Sequence, residues 1–117
     1  MGNIGIALKQ SVGDRDEMPI VLHNQALNIL SKMLYSKIDE QECKNIISIT
    51  SEAISILKET NSSKKLDILI IENIIAKALL EKEYGDLEKK LQIHISNLNK
   101  NEFEQISAIY KRSLCIS

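Results

Sequence analysis

An all-α fold, a bundle of four or five helices, is what this sequence of 117 residues predicts. Three observations carry the prediction. Apolar residues recur at the three- and four-residue spacing of a helix face, and capping residues stand where the helices should begin. The third is the stretch LDILIIENIIAKALL from Leu66 to Leu80, apolar at eleven of its fifteen positions. A helix apolar nearly all round has to be covered on most sides, which places it at the centre of a bundle.

Residues 1–17 hold three of the four glycines and end in the charged run GDRDE. A flexible arm is expected there, with a short helical turn around Ile4 to Gln10. A single helical domain should follow over residues 18–117. Pro19 suits a first helical turn, and Asp16 and Glu17 place negative charge at the positive end of the helix dipole, so a first helix is predicted from about Pro19 to Tyr35. Asp39 and Glu42 form the next start signal, a capping box stapled by Ile38 against Cys43. From there Cys43, Ile46, Ile47, Thr50, Ala53, Ile54 and Leu57 line one face of a second helix, which TNSSKK ends.

The third helix is predicted over Ser63 to Tyr84. A strand would fit ILII alone, but the run is too long and continues without a turn into the helix-favouring AKALLEKE, with Gly85 at the expected end. Asn73, Lys77 and Glu81, four apart, should form its one wet stripe. The apolar run is shorter than the ~20 residues of a membrane span, and Asp67, Glu72 and Lys77 interrupt it, so no membrane role is expected. After Gly85, Asp86 can cap a helix in which Leu87, Leu91, Ile95 and Leu98 share a face. NLNKNEFE interrupts it, and Asn101 with Glu104 offers a capping box for a last helix to about Leu114. The sequence leaves open whether this region is two helices or one kinked helix.

The formal net charge of −1 and the absence of a basic tail argue against nucleic acid as a partner. With three tyrosines, one phenylalanine and no tryptophan, the core must be aliphatic and offers few flat faces to a cofactor or base. Cys43 and Cys115 are too few for a disulfide framework, and the first twenty residues lack the pattern of a signal peptide. Free thiols in the cytoplasm are therefore expected.

No catalytic, cofactor or metal site is predicted. Cys43 lies in the first turn of a helix, where a thiolate could be stabilised, but it also opens the apolar stripe and reads as core. His23 and His94 stand on different helices without a Cys, Asp or Glu at ligand spacing. No phosphate loop, nucleophile elbow or paired-carboxylate signature occurs, so no enzyme is expected. The acidic edge of the second helix, Glu40, Glu42, Glu52 and Glu59, is either a solvated face or a docking surface for a basic partner. The apolar surplus of the third helix points to a second copy of the chain. A homodimer is therefore expected, with Ile71, Ile75 and Leu79 at the interface and Glu72 and Lys77 near its rim.

The segments VLHNQALNIL, KNIISITSEAISILKE and LDILIIENIIAKAL resemble the helices of the YmgB/AriR family of small bacterial regulators over about residues 20–80. The sequence departs from that pattern in a longer link around Ser36 to Gln41, an extra stretch at Asn61 to Lys64 and everything after Leu80. The resemblance implies a dimeric, all-helical, non-enzymatic connector acting on a two-component phosphorelay, in biofilm formation and acid resistance. It carries over no site residue. The expected function is thus a regulatory protein-protein interaction module. The alternatives are an immunity or antidote protein facing a basic target, or a helical dimer on nucleic acid if Lys89, Lys90, Lys111 and Arg112 form one patch.

Overall fold

The computed structural model describes the backbone of residues 2–116 and the side chains of residues 17–116. The side chains of the segment expected as an arm lie almost wholly outside the described ones. Among the described residues the chain forms five helices and no strand, an all-α bundle. They are α1 (Gly2–Leu34), α2 (Glu40–Glu59), α3 (Leu66–Glu81), α4 (Leu87–Ile95) and α5 (Lys100–Ile116). No helix among the described residues is long and apolar enough to cross a membrane.

α1 does not begin at Pro19: the proline lies inside it, and its ring is fully buried. The buried stripe of α1 continues through Leu22, His23, Ala26, Leu30, Met33 and Leu34, which keeps the spacing of one helix face. α2 begins at the expected cap, with only the Asp39 half of the expected capping box formed among the described residues. The Asp39 carboxylate accepts the backbone N–H of Gln41 at 2.8 Å and that of Glu42 at 3.4 Å. Its inner face carries Cys43, Ile46, Thr50, Ala53, Ile56 and Leu57, with Ile47 and Ile54 half-buried beside them.

α3 is the central helix, shorter at both ends than the predicted Ser63 to Tyr84. From Ile68 to Leu79 only Ile70, Ile74 and Lys77 escape full burial. Gly85 does not end it. Lys82 does, in the left-handed conformation at φ 56°, while the N–H of Glu83 closes onto the Ala78 carbonyl at 3.2 Å. Tightening the last turn on Ala78 satisfies a carbonyl that a longer helix would have used, so the turn falls three residues before the glycine.

The C-terminal region is two helices. α4 buries Leu87 and Leu91, with Ile95 and Leu98 half-buried against the same core. α5 starts two residues earlier than predicted, with Asn99 and Glu102 in place of Asn101 and Glu104. The Asn99 side chain accepts the N–H of Glu102 at 2.8 Å, and the Glu102 carboxylate accepts the N–H of Asn99 at 3.2 Å. This register turns Ile106, Ile109 and Ser113 inward and brings Glu102 within 3.6 Å of Lys65, before α3. Together α1, α2, α4 and α5 cover α3 from within the chain.

Candidate functional site

One polar chain crosses the apolar centre. His23 falls in the middle of the buried stripe of α1, and Glu72 on the helix with the least room for water. Both are sequestered, at 1% and 0% exposure. The imidazole Nδ1 and the Glu72 Oε2 are 2.9 Å apart, and Nε2 lies 3.2 Å from Oε1 of Gln105 on α5. Three helices thus meet in one chain of hydrogen bonds. The other carboxylate oxygen, Oε1 of Glu72, is buried with no hydrogen-bond partner among the described residues.

This geometry fixes where protons go. As placed, each ring nitrogen faces an oxygen, so Nε2 must carry a proton to donate to Gln105. On the Glu72 side one more proton sits between Nδ1 and Oε2, either as imidazolium against carboxylate or as imidazole against carboxylic acid. Both arrangements are neutral overall and keep both hydrogen bonds. Burial pushes the Glu72 carboxyl up to about 7, against the opposing pull of His23. Burial pushes His23 down, but the hydrogen bond and charge of Glu72 and the bond to Gln105 outweigh it and leave the ring above its usual value. The pair as a whole holds its shared proton more tightly than either group would in water.

The remaining polar contacts are local ties. Asn73, expected on a wet stripe with Lys77 and Glu81, is instead buried under α2. It donates to the Thr50 hydroxyl at 2.9 Å, and that hydroxyl donates to the Ile46 carbonyl at 2.7 Å. His94 meets Asp67 at 2.9 Å, joining the end of α4 to the start of α3. Each histidine thus has a different carboxylate, Glu72 for His23 and Asp67 for His94. Cys43 is buried as core, its thiol 3.7 Å from the Met33 sulfur, and burial raises its pKa, which disfavours a reactive thiolate. Cys115 is exposed. Among the described residues no three His, Cys, Asp or Glu side chains gather to hold a metal.

Of the residues expected at an interface, Ile71, Ile75 and Leu79 are buried within the chain itself. Glu72 is a correction: it lies at the centre of the bundle, not at a rim. Lys77, Glu40 and Glu52 are exposed and Glu42 is half-buried.

The accessible surface with relief is elsewhere, on the C-terminal half of α1. Asn24, Asn28, Lys32 and Tyr35 share one face there, spanning roughly 16 Å of helix at 1.5 Å per residue. A groove of about 530 Å³ runs along the α2 side, over Ile29 and Met33, with Lys32, Lys37, Asp39 and Glu42 on its walls. A second, of about 380 Å³, runs along the α5 side, over Leu27, Ala108 and Ile109. Asn28 lines both. Gln105, the outer member of the buried chain, lines the second. At the end of the ridge Tyr35 is 60% exposed, and Arg112, bonded to the Leu34 carbonyl, lies 5.1 Å above its ring. No family model, curated protein or solved structure matches the chain.

Proposed function

We propose that this is a non-enzymatic regulatory module that binds another protein through the ridge of α1 from Asn24 to Tyr35. The observation that carries the proposal is a ridge of helix flanked by two grooves that share Asn28, each with an apolar floor and polar walls. Partner helices are received by such relief, with side chains three and four apart seated in the grooves and amides at the edge fixing the register. Its most titratable pair, His23 and Glu72, is closed to substrate by its burial, which supports a binding role over a catalytic one.

The resemblance to the YmgB/AriR family names a phosphorelay protein as the kind of partner to seek. A homodimer through α3 loses its support, because the chain covers that helix itself, so the ridge is assigned to a different protein. A second copy is then an outcome of the test. The exposed acids Glu40 and Glu52 of α2 give the antidote alternative its surface, while Glu42 lines the groove beside α1. Photo-crosslinking from single unnatural residues at position 28, 52 or 90, in the source cells, separates these readings. A discrete adduct from position 28 alone, whose mass is not that of two copies, is expected. An adduct from position 52 alone transfers the function to the acidic edge, and a doubled mass from position 28 makes the protein a dimer.

A further inference from the structure

We propose that the chain His23–Glu72–Gln105 is a proton-operated clasp, whose shared proton holds α5 against α1 and α3 and whose loss releases α5 first. The proposal stands on the geometry of the buried chain and does not depend on what docks at the α1 ridge.

With the shared proton in place, the ring donates from Nε2 to Gln105, and the second proton bridges Nδ1 and Glu72. Remove one proton and a single N–H is left for two acceptors. It goes to the carboxylate, since a hydrogen bond to an ionised acceptor is about twice as strong as one to a neutral amide. Nε2 then presents a lone pair to the Gln105 oxygen, and an attraction becomes a repulsion. The change falls on α5 because the two inner members are held in buried stripes while Gln105 is on the surface. The same loss leaves an unbalanced negative charge on Glu72, whose Oε1 has no hydrogen bond among the described residues to spread it.

α5 is suited to respond. Its apolar hold consists of Ile106 and Ile109, with Tyr110 and Leu114 half-buried at their sides. Among the described residues its polar holds besides Gln105 include the Lys65–Glu102 pair at 3.6 Å, Arg112 on the Leu34 carbonyl and the same guanidinium over the Tyr35 ring. Of the charged groups around the clasp, α3 contributes Glu72. Lys65, next to α3, opposes a charged His23, and Glu102 of α5 faces that lysine. Among the described residues no charged group of α2 or α4 bears on either member. Release of α5 moves Gln105, Ala108 and Ile109, one wall of the groove beside α1.

Amide hydrogen exchange of the full chain, read by mass spectrometry and corrected for the pH dependence of intrinsic exchange, tests the clasp. Between about pH 5.5 and about pH 8.5, α5 should lose roughly tenfold protection relative to α2, the equivalent of about one pKa unit. In Gln105→Leu, a surface substitution that cuts only the outer bond, α5 should already exchange fast at the lower pH and change little at the higher. Protection of α5 that stays in step with α2 across the range overturns the proposal, as would occur if the Gln105 amide simply turned its NH2 to the ring. A pH response that persists undiminished in Gln105→Leu overturns it as well.

Discussion

Glu72 and His23 are buried titratable groups, and each is the other's partner. Removing one partner of a buried pair leaves the other uncompensated, whereas replacing both with apolar groups restores a packed interior. His23→Leu should therefore cost about 3 kcal/mol near neutral pH, and less in acid, where the lone carboxyl takes up a proton. Adding Glu72→Met should recover most of that loss, and urea denaturation of the two variants measures both. Half of this pair was legible in the sequence. On a helix of 3.6 residues per turn Glu72 lies about 140° round from Lys77 and so cannot share its wet stripe. That angle was the signal that it needed a buried partner. The identity of the partner was not legible, because His23 lies 49 positions away and neither residue type has a spacing rule that reaches so far. Asn73 misled for a related reason: at about 40° from Lys77 it belongs to the exposed side by periodicity, but α2 packs over it and Thr50 takes its amide proton.

At the scale of the element, periodicity located the helices and packing set their ends. The second helix began at its predicted cap, because Asp39 has no competing cap beside it. Around α5, Asn97, Asn99 and Asn101 alternate and offer several starts, so the choice fell to the register that buries Ile106 and Ile109. The end of α3 shows the same limit. Gly85 is the residue type that a left-handed turn prefers, but Lys82 adopts that conformation, and Gly85 has an ordinary φ with no atom within 4 Å of an added Cβ. Lys82→Gly should thus raise stability by roughly 1 kcal/mol by relieving the left-handed strain. Gly85→Ala should raise it by about 0.4–1 kcal/mol by restricting the unfolded chain. Thermal unfolding of both variants checks the assignment, since a left-handed cap at Gly85 would instead make the alanine destabilising.

For the whole molecule, the chain itself supplies the cover that the apolar surplus of α3 demands. The apolar surplus alone points to a second copy as the cover, but α4 and α5 divide at NLNKNEFE and each buries its own face. What makes the bundle proton-sensitive is the chain that joins three of its helices, from α1 through α3 to α5. Glu72 is raised from 4.5 to about 7 and His23 is raised from 6.5, so the folded pair still holds its one shared proton above pH 6.5, where the unfolded histidine has lost it. The shared proton's contribution to stability is then fully present in mild acid, declines as pH rises above 6.5, and is lost once pH has passed the raised value of His23. The most direct test is the unfolding free energy of the intact protein at about pH 5.5 and about pH 8.5, beside that of the double variant His23→Leu, Glu72→Met. A buried shared proton predicts that the natural chain loses stability toward the higher pH by more than the double variant does. A natural chain that gains stability with pH, or whose profile the double variant reproduces, would contradict it.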